Sequence, residues 1–168
     1  MGKFSYKKYG PEDQRLLATW AAACAERVLP FFEQAYPKDG RPREAIAACR
    51  SWVRTGVFKM AEVRRVALAA HAAARDAKEN EAACFAARAA GHALGTAHVP
   101  QHAAGSAYYA LKAVAAADPA NAGAKTAKEF EWQWRHLAKH LRRGIMDRIT
   151  ILKMGGRVLV RLCKAPGF

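Results

Sequence analysis

Alanine is the feature of this sequence that most restricts what the chain can fold into. It is the most abundant residue, and it accumulates in runs such as AAACA at 21–25 and AACFAARAA at 82–90. Alanine is the best helix-forming residue, and its small side chain lets neighbouring helices approach closely. The hydrophobic fraction of 52% therefore overstates the volume of the core. We expect an all-α protein with close helix contacts, anchored by four tryptophans.

Prolines, glycines and acidic residues divide the chain into helical segments. Pro11 predicts the start of the first helix, because proline fits a first turn and the acids that follow it suit the positive end of the helix dipole. Pro30 is expected to break or kink this helix. Further helices are predicted over about 42–55, 59–78, 81–97, 103–117 and 125–143, with a loop at 118–123. The last helix carries the clearest apolar stripe, made of Phe130, Trp134, Leu137 and Leu141. The chain thus suits one compact bundle of about six to seven helices.

The end of the chain has a different pattern. The sequence RITILKMGGRVLVRL at 148–162 contains two β-favouring runs around a Gly-Gly pair, which is typical of a hairpin turn. We therefore expect a helical domain over 1–144. A basic C-terminal extension over 145–168 is expected to form a small β-hairpin or an irregular, disordered tail.

The formal net charge of +14 points to an acidic partner. Basic proteins of this kind bind nucleic acid, acidic proteins or anionic membrane surfaces, and the charge alone does not choose among them. No stretch of about 18 uninterrupted apolar residues is present, so no membrane partner is expected.

The expected compartment is the cytoplasm. The N-terminal sequence MGKFSYKKYGPEDQ has no apolar run of the kind found in signal peptides. The four cysteines are far apart and form no C-x-x-C pair, so they are expected to be small buried thiols in a reducing environment.

Residues 88–102, RAAGHALGTAHVPQH, contain three of the six histidines among glycines and alanines. Ala87, Gly91 and Gly95 recur every four residues and so form a ridge of small residues along one face of a helix. Such a ridge is expected to let another helix backbone approach closely.

Arg88 and His92 lie beside this ridge, whereas His98 is about 120° further round an ideal helix. The two histidines converge only if the helix ends between them, which Pro100 allows. Three readings stay open: a metal site, hydrogen-bonded imidazoles inside a helix contact, and a surface that recognises a partner. Since no established zinc spacing is present, we expect no metal and favour the helix contact.

His71 and Arg75 are four residues apart on the predicted third helix, close to its apolar face. A buried arginine needs a carboxylate partner, because an unpaired buried charge is costly. The expected suppliers are Glu33, Asp39 and Glu44, in a polar network that fixes how the helices dock or opens onto a groove.

Four segments of the chain together resemble a bacterial family of putative immunity proteins, the Imm-five-like type associated with polymorphic toxin systems. These segments are LLATWAAACAERVLPFFEQAYPKDGRPREAI (16–46), ALAAHAAAR (67–75), RAAGHALGTAHVPQHAAGSAYYALKAV (88–114) and WQWRHL (132–137). The resemblance implies an all-α fold and a role in neutralising a cognate toxin by binding it.

The same resemblance highlights a set of polar-core or partner-binding residues in this chain. They are Asp39, Arg41, Pro42, Arg43, Trp52, His71, Arg75, Arg88, Gly91, His92 and His98. Two features depart from the family pattern: the strong positive charge, and the tail after about Gly144, which has no counterpart.

The sequence thus predicts a non-catalytic immunity protein that covers the active site or substrate path of an acidic toxin. No nucleophile with an adjacent base and no phosphate-binding glycine loop is recognisable, so no catalytic residue and no cofactor are expected. The alternative is a basic helical protein that associates with nucleic acid.

Overall fold

The computed structural model describes residues 9–163 and confirms an all-α bundle with a small hairpin. Its elements are α1 (Pro11–Ala35), α2 (Arg41–Thr55), α3 (Met60–Asp76), α4 (Glu81–Gly95), α5 (His102–Ala117), α6 (Ala122–His136), α7 (Lys139–Ile145), β1 (Ile149–Met154) and β2 (Arg157–Leu162). Short 3₁₀ turns precede α6 and follow α7, at Pro119–Asn121 and Met146–Arg148. The first turn replaces part of the loop expected at 118–123.

The first helix is not broken at Pro30, so the first of the two predicted effects, a break or a kink, does not occur. It runs without interruption from Pro11 to Ala35, with Pro30 on its exposed side. Proline removes one backbone donor from a helix, but water can satisfy the carbonyl oxygen that is left free on an exposed face. Burial of Leu29 and Phe32 on either side holds the helix together.

Helix α4 lies at the centre of the bundle and packs against α1, α2, α3 and α5. Its fully buried positions are almost all occupied by small residues: Ala83, Ala86, Ala87, Ala89, Ala90, Gly91, Ala93 and Gly95. Small side chains permit four neighbours to approach one helix, which is what the alanine content predicted.

The predicted last helix is divided into α6 and α7 at Leu137–Ala138, where the backbone becomes extended. The predicted stripe is only partly right, since Leu137 and Leu141 are buried while Phe130 and Trp134 are half-buried. The most buried side chains of α6 include two polar ones, Glu129 and Gln133.

Two polar contacts explain why α6 buries the face that carries Glu129 and Gln133. The indole N–H of Trp20 on α1 donates to the carbonyl oxygen of Gln133 at 2.9 Å. Arg27, also on α1, pairs with Glu129 at 2.8 Å and lies over the ring of Trp132 at 4.1 Å. Helix α6 is therefore fixed to α1 by hydrogen bonds as well as by apolar contact.

The two strands form an antiparallel pair in which Ile149 faces Leu162 and Met154 faces Arg157. Gly155 and Gly156 both have positive φ, 55° and 81°, as a tight two-residue turn requires. Strand β2 packs on α5 and α6 and buries Val160, so the hairpin is attached to the bundle. Whether the extension forms a unit separate from residues 1–144 stays a prediction.

Two further observations concern the described residues. None of the helices within 9–163 is both long and apolar enough to cross a membrane. The expectation of buried thiols holds for Cys24 and Cys49, but Cys84 is half-buried and Cys163 is exposed at the end of β2.

Candidate functional site

A small cleft between α3, α4 and the start of α5 brings four of the six histidines together. Its volume is about 180 Å³. The residues that line this histidine cleft are Val63, Arg64, Ala67, Leu68, His71, Gly91, His92, Gly95, His98 and His102. Helix α4 ends at Gly95, five residues before Pro100, so His98 lies in the turn that leads to α5.

The imidazoles form a chain of ring contacts in which His92 is central. Its ring meets His71 edge-on, with centroids 5.1 Å apart. On the other side it meets His102 at 5.2 Å, and the two Nδ1 atoms are 3.2 Å apart. His98 contacts His102 at 5.8 Å. The expected convergence of His92 and His98 is therefore indirect and passes through His102.

Three glycines provide the space for these rings. A Cβ atom at Gly91 would lie 2.7 Å from Cε1 of His71, and one at Gly105 would lie 2.6 Å from Nδ1 of His92. At Gly95 the nearest ring atom, Cδ2 of His102, would be 3.1 Å away. The small-residue ridge on α4 was predicted to admit another backbone, but at Gly91 and Gly95 imidazole rings occupy that space. The reason is that α3 and α5 present histidines at these positions.

The cleft lowers the pKa of three of its imidazoles, those of His71, His92 and His102. Burial lowers the pKa of His92 to about 3, and the neighbouring histidines and Arg88 add to this effect. The pKa of His71 is lowered by burial and then by Arg88, His102 and Arg75. Burial, followed by His98, lowers the pKa of His102. Neutral imidazoles offer one hydrogen-bond donor and one acceptor each.

One arginine lines the cleft and two more act on it from nearby, and none of the three has a carboxylate partner among residues 9–163. Arg64 lines it, whereas Arg75 and Arg88 act on His71 through their charge. The prediction that Arg75 pairs with an acid is wrong, since it is exposed and the candidate carboxylates lie elsewhere. Arg88 lies over the ring of Tyr109 at 5.8 Å, and Tyr109 in turn stacks on His92.

Asp39, Arg41 and Arg43 lie outside the cleft and connect helices. Arg41 contacts Asp39 at 2.6 Å and Asp76 at 2.8 Å, and so ties the start of α2 to the end of α3. Hydrogen bonds from Arg41 lower the pKa of Asp39. Arg43 pairs with Glu33 of α1 at 2.6 Å. These residues form docking contacts between helices, the structural reading that the sequence left open.

Trp52 lines a second groove next to the histidine cleft. This Trp52 groove also measures about 180 Å³ and is lined by Ala48, Ser51, Trp52, Thr55, Val57, Lys59, Glu62, Val63, Val66 and Leu94. Val63 lines both depressions. Of the candidates predicted from the sequence, the histidine cleft gathers His71, His92 and His98, with Arg75 and Arg88 nearby.

One polar atom of the histidine cleft lacks a hydrogen-bond partner within the described residues. In the part of the chain that the structure describes, no three histidine, cysteine or acidic side chains are arranged to hold a metal ion. Nδ1 of His71 is buried and has no hydrogen-bond partner among these residues. The fold thus leaves one polar atom unsatisfied at the cleft.

Sequence reasoning missed two residues of this site, His102 and Gly105. His102 follows His92 by ten residues, across a turn whose geometry the sequence does not specify. Gly105 lies inside α5, where glycine is unfavourable unless close packing requires it. The presence of this glycine inside a predicted helix could therefore have indicated a close contact at Gly105 from the sequence alone.

Comparison with known proteins agrees with the resemblance noted above. The family described as Imm-5 like putative immunity protein matches the chain over residues 7–140, which includes α1 to α6 and every residue of the histidine cleft. No curated protein and no solved structure shows a significant match. The chain belongs to the Imm-5 like putative immunity protein family.

Proposed function

We propose that this protein neutralises a cognate toxin by binding it and covering its active site or substrate path, without catalysis. The proposal rests on exposed apolar side chains in the segment that leads into α3 and on α3 itself. Val57, Phe58, Met60 and Leu68 are 63%, 39%, 45% and 58% exposed. Exposed apolar side chains that gather on one segment are typical of interaction sites in soluble proteins. We call these four residues the α3 patch.

The α3 patch connects two depressions that a partner could fill. Leu68 lines the histidine cleft, and Val57 lines the Trp52 groove, which meets the cleft at Val63. An apolar surface with adjoining pockets can accept the few anchor side chains that supply most of the affinity in protein complexes. Occlusion of the toxin by this face is the simplest mechanism consistent with such a surface.

Positive charge surrounds the patch and favours an acidic toxin. Lys59, Arg64 and Arg65 are exposed on the same segment, with Glu62 as the acidic residue among them. Charges at the rim of an interface mainly raise the association rate and select against partners of like charge. We place this encounter in the cytoplasm, in keeping with the expected location of the chain.

Association with nucleic acid is the alternative that the net charge leaves open. Several arginines of the bundle are already paired with acids within the chain, among them Arg27, Arg41, Arg43 and Arg50. Phosphate binding draws on unpaired cations and gains little from exposed leucine and methionine. The α3 patch therefore favours a protein partner.

Co-expression tests the proposal. The product of a neighbouring toxin-like gene, toxic alone, should become harmless with this protein and form a stoichiometric complex with it. Leu68→Asp should weaken the complex at least tenfold. It places a negative charge on the apolar patch, and that charge would also repel an acidic partner. Met154→Asp is the matched control, since Met154 is 59% exposed on the hairpin.

One result would count against toxin binding, and another against the α3 patch as its surface. One is that no neighbouring product binds while duplex DNA binds with a steep inverse dependence on salt. The other is that Leu68→Asp and Met154→Asp have equal effects on the complex, which would remove the α3 patch from the interface.

A further inference from the structure

The charges around the histidine cleft have one sign. Arg64 and Arg75 come from α3, and Arg88 comes from α4. The residues that line the cleft include no carboxylate. The carboxylate closest to Arg75 in sequence, Asp76, is held by Arg41 at 2.8 Å. Among residues 9–163 the cleft is therefore a positively charged depression with neutral imidazoles inside it.

The positive charge around the cleft decides between a metal cation and an anion as its ligand. Four histidines would suit a transition-metal ion by their chemistry alone. Three unpaired guanidinium groups repel a cation, however, and attract an anion, and this attraction is strengthened where the surroundings are partly shielded from water. An anionic ligand gains both the charge of the arginines and the N–H donors of the imidazoles.

The size of the cleft limits the anion. Pockets for cofactors and other small molecules usually measure about 300–1,000 Å³. The histidine cleft, at about 180 Å³, is smaller than this and suits a single side chain. Its rim also carries Leu68 of the α3 patch, so the cleft is continuous with the proposed protein-binding surface.

We propose that the histidine cleft receives a carboxylate side chain, aspartate or glutamate, that a partner protein inserts between Arg64, Arg75 and Arg88. The identity of the partner as the toxin rests on the proposed function, whereas the carboxylate chemistry rests on the cleft itself. His71, on which Arg75 and Arg88 act through their charge, has a buried Nδ1 that the described part of the fold leaves without a partner, and His102 lines the same cleft.

Binding of a carboxylate should take up protons. In the free protein, burial and the arginines lower the pKa of His71, and a bound anion would oppose that effect. Affinity should therefore increase as the pH falls from 8 to 6. The charged and titratable groups that face His71 or its ring neighbours are Arg64, Arg75, Arg88, His92, His98, His102 and Tyr109.

Titration of the intact protein with glutarate tests the proposal. Glutarate carries the carboxylate of a glutamate side chain, and its binding is followed by the NMR signals of the histidine rings. We expect saturable shifts for His71 and His102. Arg64→Met and Arg75→Met should each weaken binding about tenfold, as expected for one lost charge-assisted hydrogen bond. Both arginines are exposed, so these variants keep the core intact.

Arg143→Met on α7 is the matched control and should bind glutarate like the unaltered protein, since Arg143 is exposed and does not line the cleft. Two further titrations use other ligands. Stoichiometric binding of zinc chloride without binding of glutarate would overturn the proposal in favour of a metal site. Inorganic phosphate that binds more tightly than glutarate would overturn it in favour of a phosphate ligand.

The toxin complex distinguishes this inference from the proposed function. A complex that is unaffected by Arg64→Met and Arg75→Met refutes the carboxylate site but leaves toxin binding intact. Glutarate binding that both variants weaken, in a protein for which no toxin partner forms a complex, supports the carboxylate site and counts against the proposed function.

Discussion

The contact between His92 and Gly105 leads to a quantitative prediction for the substitution Gly105→Ala. A Cβ atom at this position would lie 2.6 Å from Nδ1 of His92, 2.9 Å from Cγ and 3.0 Å from Cε1. Ordinary contact begins at about 3.4 Å, so the ring or helix α5 must move by a large fraction of an ångström. His92 has little freedom to do so, because it stacks on Tyr109 and meets His71 edge-on.

The size of the effect follows from two opposing terms. Overpacking of a buried site costs about 1–3 kcal/mol. Alanine in place of glycine inside a helix returns at most about 1 kcal/mol. Because an approach of 2.6 Å forces a shift, the cost lies in the upper part of its range, at about 2–3 kcal/mol. We therefore expect Gly105→Ala to lower the free energy of unfolding by about 1–2 kcal/mol, and the melting temperature by about 2–8 °C.

Urea unfolding followed by circular dichroism measures this change. The matched control is Gly123→Ala on α6, where the closest atom to a new Cβ is Cε of Lys153 at 3.3 Å. The end of a lysine side chain can move away, so this variant should be as stable as the unaltered protein or more stable. In a His92→Ala background Gly105→Ala should no longer destabilise, since the ring that it would meet is absent.

A Gly105→Ala variant as stable as the unaltered protein would refute this reasoning. It would mean that the imidazole chain can shift at no cost and that the glycine is not needed to accommodate His92. Equal destabilisation by Gly105→Ala with and without His92 would also refute it, because the cost would then come from another contact.

Three other predictions concern buried polar groups. Arg27→Met should lower the free energy of unfolding by about 2 kcal/mol, because it leaves the buried carboxylate of Glu129 unpaired. Adding Glu129→Gln to this variant should recover part of the lost stability. If it recovers none, the ion pair is not the cause of the loss. Acid should destabilise the fold through His92, because burial lowers the pKa of its imidazole from 6.5 to about 3. Between these two pH values the unfolded chain binds a proton at His92 that the folded chain does not bind. Stability should thus fall as the pH is lowered from about 6.5, and His92→Asn should reduce the slope of the urea midpoint against pH; an unchanged slope would exclude His92 as the cause. A thiol reagent should modify the exposed Cys163 in the folded protein but reach the fully buried Cys24 only at the rate of unfolding, and prompt labelling of Cys24 would show that the core opens locally.

Local chemistry was sufficient to predict the elements of this fold. Alanine runs and proline starts predicted the helices to within a few residues, because helix formation depends on propensity and on signals at the helix ends. The Gly-Gly pair predicted the hairpin, since only glycine readily takes the positive φ of both turn positions. The division between α6 and α7 was missed, because no proline or glycine marks it.

Tertiary packing decided which faces are buried and where the helices continue. Helix α1 passes through Pro30 because buried neighbours on both sides outweigh one missing hydrogen bond. Helix α6 buries Gln133 rather than Trp134. The side-chain amide of Gln133 donates to the backbone oxygen of Ala107 at 3.2 Å, and its own backbone oxygen accepts from Trp20, more than a hundred residues earlier. A pattern within one helix contains no information about such a distant donor.

The histidine cleft also depends partly on local sequence and partly on tertiary packing. The sequence by itself determined that His92 lies beside a ridge of glycines and that His71 lies on a neighbouring helix, because spacing along a helix fixes the face of each residue. Only the tertiary structure decided that imidazole rings fill the space above Gly91 and Gly95, and that His102 joins His92 to His98. It also left Arg75 without an acid, because the register of α2 against α3 gives Asp39 and Asp76 to Arg41. Contacts between helices depend on their relative register, which no single segment of sequence specifies.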